Sequence, residues 1–319
     1  MASKYLYAIL IICILFFVFG CEKQGEGGPS VQIKKAFIGG TRGLDISFTE
    51  SAPPDEVFDT NFPFSINIKL ENVGEWDIMN PSDTTLSIVG IDPADFGKTS
   101  EFLIKNSPVP MMGAKLDPQG NRITGTIANI DFPDLQYVST VAGKVQFVLR
   151  ASACYEYGTK VNTKICILDD LLGITRKGIE EAVCNPNEPK AFENSGAPVQ
   201  VNNIKETVMG TDRVSLSFDI EHVGSGDVFK KATECSATIA DKDKVYVKVS
   251  TGEPGVQCSG IDGGGAEGYT TLFSGKRSII CTQQLPSPRG DFEKSITINL
   301  EYGYRQYVDT QLTVKHAGI

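Results

Sequence analysis

The feature that most constrains the fold is a block of alternating apolar and polar residues that occurs twice in the chain. Residues 64–78 read FSINIKLENVGEWDI and residues 214–228 read VSLSFDIEHVGSGDV, and the two blocks align without a gap at an offset of 150. A second pair of blocks, residues 155–165 and 302–312, repeats two tyrosines and a Val-x-Thr sequence at an offset of 147. Two offsets that agree this closely indicate that one half of the chain duplicates the other.

Alternation with period two is typical of β-strands with one buried and one exposed face, and Gly, Pro, Asn and Asp clusters between such segments predict turns. We therefore predict an all-β protein with two tandem β-sandwich domains, residues 31–168 and 197–319, each of which folds independently. The connector, residues 169–196, has apolar residues spaced for one short helix. In the first half the predicted strands are residues 31–38, 44–48, 64–70, 84–89, 122–127, 144–155 and 160–168.

Each repeated block also predicts a local structure. The first block ends in Glu-Asn-Val-Gly or Glu-His-Val-Gly, and we expect Gly74 and Gly224 to adopt a positive φ in a sharp turn. In the second block we expect two strands joined by a short polar turn, which is a β-hairpin near the end of each domain. The paired tyrosines within residues 155–157 and 302–304 favour packing inside the sandwich, with an aromatic platform for sugar or peptide as the alternative.

The N-terminus has the layout of a signal peptide. Lys4 precedes an apolar run that ends in Gly20-Cys21, and a cysteine after a small residue is typical of a lipobox. The apolar run is shorter than the roughly 20 residues of a comfortable membrane span. We expect residues 1–20 to be a signal peptide or membrane anchor, Cys21 to carry lipid, and residues 21–30 to be a flexible spacer. An uncleaved anchor and simple secretion are the alternatives; the first two interpretations place the chain on the extracytoplasmic face of the cell membrane.

Six cysteines follow the spacer, and their even number outside the cytoplasm predicts disulfides. Zinc is disfavoured because the sequence has no Cys-x-x-Cys pair and no histidine near these positions. Six cysteines allow 15 connectivities. The pairing we expect is Cys154 with Cys166 across the predicted hairpin, Cys258 with Cys281 around a Gly-rich loop, and Cys184 with Cys235 from the connector to the second domain.

Charge and residue content exclude several function classes. The formal net charge is −9, and removal of residues 1–20 with their single lysine makes it −10, so the chain has no electrostatic footprint for nucleic acid. The two histidines do not suggest a catalytic site, because His222 aligns with Asn72 of the first block and His316 lies near the C-terminus. We expect no catalytic residue, metal or cofactor. The carboxylates that we assign to solvated turns rather than to calcium are Asp92, Asp95, Asp241 and Asp243.

The blocks that end in ENVG and EHVG resemble tandem immunoglobulin-like modules of prokaryotic surface proteins, most closely the CARDB type, the cell-adhesion-related domains of bacteria and archaea. Residues 43–78 also resemble predicted surface lipoproteins of archaea. The resemblance implies immunoglobulin-like sandwiches without catalytic residues. We expect a membrane-anchored surface protein that acts in adhesion, scaffolding or the binding of another envelope or surface protein. The alternative is a solute-binding or enzyme-associated lipoprotein with a ligand site between the domains.

Overall fold

The computed structural model describes residues 35–60, 62–173, 183–235 and 238–318. These residues form β-strands and three short 3-10 helices, at Pro81–Asp83, Pro93–Phe96 and Ser100–Leu103, and the protein is all-β as predicted. The strands are β1 (Leu44–Phe48), β2 (Glu56–Phe58), β3 (Phe64–Asn72), β4 (Thr84–Val89), β5 (Ile104–Asn106), β6 (Lys115–Leu116), β7 (Arg122–Ile123), β8 (Ile127–Leu135), β9 (Lys144–Ile167), β10 (Phe192–Asn194), β11 (Val199–Val208), β12 (Arg213–His222), β13 (Asp227–Phe229), β14 (Lys244–Ser250), β15 (Gln257–Ser259), β16 (Glu267–Thr271), β17 (Lys276–Gln284) and β18 (Phe292–Lys315).

Most of these strands belong to three sheets. The central sheet has nine strands, with the order β16-β14-β18-β9-β4-β5 and with β2, β10 and β13 paired along β18 and β9. The two small sheets have the orders β1-β3-β8, from the first half, and β11-β12-β17-β15, from the second half. Strands β6 and β7 pair only with each other.

Both small sheets lie on the same face of the central sheet. Alternate residues of β9 and β18 are buried, and their tyrosines contact β1 on one side and β11 on the other. We call this buried side the inner face and the opposite side of the central sheet the outer face. The apolar residues between the layers form one continuous core across both halves, as expected for sheets packed face to face. The result is an all-β, sandwich-like arrangement in which the two small sheets pack side by side on one shared sheet.

The two halves are joined by the pairing of β9 with β18. These strands run antiparallel and pair over their full length of 24 residues. Glu156 pairs with Gly303, which is its equivalent at the offset of 147, so a pseudo-twofold axis passes through this pair. The predicted hairpins are therefore wrong: each repeated Tyr-x-Tyr block is one uninterrupted strand. Its partner is the equivalent strand of the other half, not the next segment along the chain.

The shared strands also interlock the halves. The end of β18 pairs in parallel with β2 of the first half, and the end of β9 pairs with β10, which precedes the second half. Residues 35–319 accordingly cluster as one compact unit. The boundaries at residues 169–196 stay a prediction about the repeat. The arrangement gives a physical reason against independent folding, because each half would lose a partner strand.

Several strand predictions are confirmed at or near their predicted bounds, namely those for residues 44–48, 64–70 and 84–89. The segment predicted at residues 122–127 is instead divided between β7 and the start of β8. The predicted signal segment, the predicted spacer with Cys21, and residues 31–34 of the first predicted strand lie outside the described residues. The same is true of residues 174–182, most of the predicted connector helix.

The glycines that end the first block of each repeat are required for space, not for a positive φ as we expected. Gly74 and Gly224 both have backbone angles open to other residues. A Cβ atom at Gly74 would clash with the hydroxyl of Tyr157, and one at Gly224 would clash with the hydroxyl of Tyr304. The explanation from a positive φ is therefore wrong. What the two halves share is a glycine whose missing side chain leaves space for the hydroxyl of a buried tyrosine of the central sheet.

Candidate functional site

Four tyrosines occupy the inner face of the central sheet, at the seam between the two small sheets. Tyr155 pairs with Tyr304 and Tyr157 pairs with Tyr302 across the β9–β18 ladder. All four side chains are buried, and neighbouring rings lie 5.5–6.3 Å apart. The packing interpretation is thus confirmed for these residues, and they do not form an exposed aromatic platform.

Two of the tyrosines hold the first strand of each small sheet in the same way. The hydroxyl of Tyr155 accepts a hydrogen bond from the Leu44 N–H, and the hydroxyl of Tyr302 accepts one from the Val199 N–H, each at 3.2 Å. Beside each tyrosine a second side chain donates to the carbonyl of the same strand residue. These donors, Gln306 to Leu44 and Thr159 to Val199, are equivalent at the offset of 147.

The other two tyrosines bind the turn after the first repeated block. The hydroxyl of Tyr157 donates to Asn72 Oδ1 at 2.9 Å, and the hydroxyl of Tyr304 lies 3.0 Å from Nε2 of His222 and accepts from the Gly226 N–H at 2.7 Å. Burial raises the pKa of Tyr304 to about 12, so its hydroxyl keeps its proton at neutral pH. Burial also lowers the pKa of His222, which favours the neutral ring. His222 is therefore a packing residue at the position of Asn72.

Glu75 connects the two halves at the seam. Its carboxylate accepts hydrogen bonds from the backbone N–H groups of Ile38 and Gly39, each at 2.8 Å, and from that of Gly196 at 2.6 Å. Hydrogen bonds to an ionised acceptor are stronger than neutral ones. One side chain thus fixes the start of the first half to the connector before the second half.

A cleft of about 340 Å³ opens beside the seam. We call it the seam cleft. It lies between β1 of the first half, the turn at residues 223–225 of the second half, and β18. The Tyr304 hydroxyl and the Gln306 amide reach it, but both are bonded to the protein. Its walls include Thr41, Arg42, Asp45, Ile46, Pro198, Val223, Ser225, Tyr307 and Val308.

A larger groove of about 620 Å³ lies on the outer face of the central sheet. We call it the outer groove. Its floor is a cross-strand row in which Ser87, Ser152 and Tyr307 are neighbours. Ile104 stands at the edge of this row, and Ile104 and Tyr307 expose 52% and 51% of their surface. A groove of this size is within the range of ligand pockets.

Both arginines of the outer groove form ion pairs with carboxylates. Arg150 forms two hydrogen bonds to Asp309, at 2.7 and 2.9 Å, and its guanidinium lies 3.8 Å from the ring centre of Tyr307. The bonds to Arg150 lower the pKa of the Asp309 carboxyl. Arg305 bonds Asp227 at 2.9 Å. Both arginines of the groove are thus fixed by carboxylates, and the rigid Tyr307–Arg150 stack projects from the sheet.

All six late cysteines form disulfides, as predicted, and three disulfides indicate an oxidising compartment. The pair Cys258–Cys281 is confirmed. The other two predicted pairs are wrong, because Cys154 and Cys166 lie on one strand 12 residues apart, about 40 Å at the usual rise, and no turn brings them together. The observed partners are Cys154 with Cys235, on the wall of the outer groove, and Cys166 with Cys184, at the connector.

Two of the four carboxylates considered for calcium, Asp92 and Asp241, accept local hydrogen bonds. Asp92 accepts from the Ala94 N–H at 3.0 Å and caps a 3-10 helix, and Asp241 accepts from the Thr238 hydroxyl at 2.7 Å. Within the described ranges no cluster of three or more His, Cys, Asp or Glu side chains is placed to hold a metal ion. Those same ranges contain no helix long and apolar enough to cross a membrane.

Comparisons with known proteins do not assign the chain to a family. No protein-family model matches it, and no curated protein matches it at a significant level. One solved structure with weak similarity is the C-terminal globular domain of an oligosaccharyltransferase from Pyrococcus abyssi (11% identity, 87% of this chain and 50% of that chain, TM-score 0.18). Another combines the manganese lipoxygenase of Gaeumannomyces graminis with part of zonadhesin of Komagataella pastoris (10% identity, 85% of this chain and 92% of that chain, TM-score 0.12). Both TM-scores are too low to carry an argument about fold or function.

Sequence reasoning missed Glu75, Gln306 and the outer groove. Glu75 gave no signal, because a lone acidic residue after a turn is indistinguishable from a solvated one. Gln306 and Thr159 occupy the same position at the offset of 147, and the shared position of two hydrogen-bonding side chains beside the tyrosines was a usable signal. The outer groove depends on the pairing of β4, β9 and β18, which alternation alone does not specify.

Proposed function

We propose that this chain is a non-catalytic surface protein that binds another envelope or surface protein through the outer face of its central sheet. The outer groove carries this proposal. It combines an exposed tyrosine, a stacked arginine and an adjacent isoleucine on a sheet, and tyrosine and arginine are among the residues enriched in protein contact surfaces. Paired arginines and hydroxyl groups suit a contact surface better than a reaction centre, which needs a base or nucleophile free to react.

The location is part of the same proposal. Lipid on Cys21 would hold the protein at the extracytoplasmic face of the membrane, and the ten-residue spacer that follows would separate the folded part from the lipid. The three disulfides agree with this compartment. The resemblance to CARDB-type immunoglobulin-like modules supports the same proposal, because those modules are duplicated sandwiches of cell-surface proteins.

A solute-binding function would use the seam cleft, which lies between the halves as the alternative requires. The groups that reach this cleft from the core, the Tyr304 hydroxyl and the Gln306 amide, are committed to bonds within the protein. A small solute would have to compete for them. Partner binding at the outer groove is therefore the function that we favour.

Two experiments test this function. Replacing Cys21 by Ser should release the protein from membranes and remove a lipid mass from its N-terminal peptide; an unmodified wild-type peptide that begins at Met1 contradicts the lipid anchor. A photoreactive amino acid at Tyr307 should form a cross-linked product on intact cells. The same amino acid at Ile280, which is equally exposed on β17 of a small sheet, is the control. Equal yields at the two positions, or none at Tyr307, would refute the outer groove as the contact surface.

A further inference from the structure

The pseudo-twofold symmetry of the molecule is broken at one place, and the difference is informative. In the second half, β10 fills the space between β11, the first strand of the small sheet, and the edge of β9 in the central sheet. It pairs antiparallel with residues 161–163 of β9. The residues on either side of it add further bonds. These are Ser195 N–H to the Lys160 carbonyl at 2.8 Å, Lys160 N–H to Ser195 Oγ at 2.9 Å, Thr163 Oγ1 to the Ala191 carbonyl at 2.8 Å, and two bonds between the Asn194 amide and the backbone of Val201 at 2.8 and 3.0 Å.

The equivalent space in the first half is the seam cleft. At the offset of 147, Lys160 and Thr163 correspond to Tyr307 and Thr310 of β18, and the ladders with β3 and β12 equate Val201 with Ile46 of β1. Tyr307 and Ile46 line the cleft. The cleft therefore stands where a strand lies in the other half.

The hydrogen-bonding groups of this space point into it. Along an antiparallel strand, N–H and C=O groups of alternate residues face opposite sides. Leu44 directs its N–H away from β3 to Tyr155, so Ile46, two residues on, directs its own backbone groups the same way. On β18, Arg305 pairs with β13 and the Thr313 N–H bonds Asp55, so the backbone groups of residues 307, 309 and 311 point to the same edge. In the described part of the chain, none of these groups in residues 307–311 or at Ile46 has a partner on that side.

The chain has a second copy of the β10 segment, but it lies elsewhere. Residues 35–37 and 190–192 both read Lys-Ala-Phe, at the same offset of 155 that relates Leu44 to Val199. The first copy crosses to the other side of the seam, where the Ala36 N–H bonds Glu193 and the next residues bond Glu75. It also has Gly39 where β10 has Asn194, so it lacks the amide that would bond the backbone of Ile46.

We propose that the seam cleft and the adjoining edge of β18 bind an extended segment of a partner protein, which adds a strand antiparallel to residues 308–310. This inference deepens the proposed partner binding and rests on it. The recognised segment carries an aromatic residue and, two positions later, an asparagine-type amide, as β10 does in its Phe-Glu-Asn sequence. Backbone bonds to the strand edge supply affinity, and the two side chains supply specificity, as in other cases of strand addition.

The two side chains have defined roles in the precedent. Phe192 packs against the core beside β9, and the Asn194 amide satisfies both backbone groups of Val201. In the seam cleft, the aromatic residue would lie opposite Thr310, the equivalent of Thr163, and the amide would lie opposite Val308 and satisfy the backbone of Ile46. A segment without the amide leaves those backbone groups unpaired, which is costly once water is excluded.

The test uses a peptide with the sequence of residues 188–196, EPKAFENSG, which contains the β10 strand. A fluorescently labelled form is titrated with the full chain in detergent micelles. We expect saturable binding, and we expect the peptides with Phe→Ala or Asn→Ala to bind about tenfold more weakly, because each loses one buried contact. Equal binding of all three peptides, or no binding, would overturn the proposal.

Two variants of the protein distinguish strand addition from side-chain attraction. Asp309→Pro removes the N–H that points out of the sheet edge and leaves the ladder with β9 in place. Asp309→Ala keeps this N–H and removes the ion pair with Arg150. We expect Asp309→Pro to lose binding and Asp309→Ala to keep it; binding by the proline variant, or loss in the alanine variant, contradicts strand addition.

Hydrogen exchange on the wild-type protein gives a readout that needs no substitution. Peptide addition should slow amide exchange in residues 305–312 and leave residues 158–166, whose edge β10 already covers, unchanged. Absence of protection at saturation would overturn the proposal.

Sedimentation in the same detergent completes the test. If the protein sediments as a dimer and the peptide dissociates it, the edge of β18 binds a second copy of this chain and not a partner protein. Loss of the Cys21 anchor or of the Tyr307 cross-link would leave these results unaffected, so the two proposals fail separately.

Discussion

The repeated glycine–tyrosine contact allows a double-mutant cycle with an internal control. Replacing Gly224 by Ala places a methyl group against the Tyr304 hydroxyl and within 2.6 Å of Pro198 Cβ. Overpacking of this kind costs about 1–3 kcal/mol. Replacing Tyr304 by Phe removes the hydroxyl that accepts from the Gly226 N–H, and an unpaired buried donor costs about 1–3 kcal/mol.

The combined variant should be less destabilised than the sum of its parts. Without the hydroxyl, the new methyl group loses its shortest contact and keeps those with Pro198 and, at 3.3 Å, with Cζ of the ring at residue 304. We therefore expect Gly224→Ala and Tyr304→Phe to be coupled by about 1 kcal/mol in the favourable direction. At the equivalent site the result should differ. A Cβ at Gly74 would also lie 2.5 Å from the carbonyl oxygens of Arg42 and Gly196, which are backbone atoms that Tyr157→Phe does not remove. Coupling there should stay below about 0.5 kcal/mol.

Urea unfolding of the oxidised protein, monitored by circular dichroism, measures all six variants. Thermal unfolding provides a second measure, with about 2–4 °C for each kcal/mol in a chain of this size. Strict additivity at residues 224 and 304 would refute the steric explanation of the repeated glycine. Equal coupling free energies at the two sites would show that the backbone contacts of a Cβ at Gly74 do not contribute.

Three other predictions follow from the inner face and the shared strands. An unfolded tyrosine loses its proton near pH 10, whereas folded Tyr304 holds its proton to about pH 12. The contribution of this raised pKa to the free energy of unfolding should therefore be fully present below pH 10 and be lost as the pH rises from 10 to 12. The free energy of unfolding of Tyr304→Phe should fall less steeply over this range, and an identical slope would contradict the role of Tyr304. Peptide mapping without reduction should find Cys154 joined to Cys235, and replacing both by Ser should cost about 2–4 kcal/mol in urea unfolding, whereas free thiols there would contradict the structure. Residues 197–319 expressed alone should lack a cooperative melt, because β18 would lose β9 over its whole length; a sharp melt of this fragment would restore the two-domain prediction.

The sequence predicted elements whose signal is local. Strand β4 was predicted to the residue because turns bound its alternation on both sides. The long strand β9 was divided in two, although its burial keeps one phase through Tyr157, Thr159 and Val161. We expected a short polar turn near Lys160, but the strand continues through it, and nearby Gly158 makes room for the ring of Trp76. An unbroken phase was therefore a better guide than turn propensity.

The partners of each strand were beyond sequence reasoning. A period of two specifies which residues are buried, but not which strand lies alongside. The pairing of β9 with β18 joins residues far apart in the chain. In the resulting fold Cys154 lies next to Cys235, whereas we expected it to lie next to Cys166. The candidate sites depend on the same pairing. The outer groove and the seam cleft are both built on β18 with residues of the other half.

The β9–β18 pair also determines how this protein would respond to mechanical load. Each strand has 24 residues, a length of about 80 Å at the usual rise per residue. Opposite forces applied to β9 and β18 along the strand axis act parallel to the ladder, and many hydrogen bonds must then break together. A pull across the strands would break them one pair at a time. The ladder is therefore stiffest along the strand axis and weakest across it.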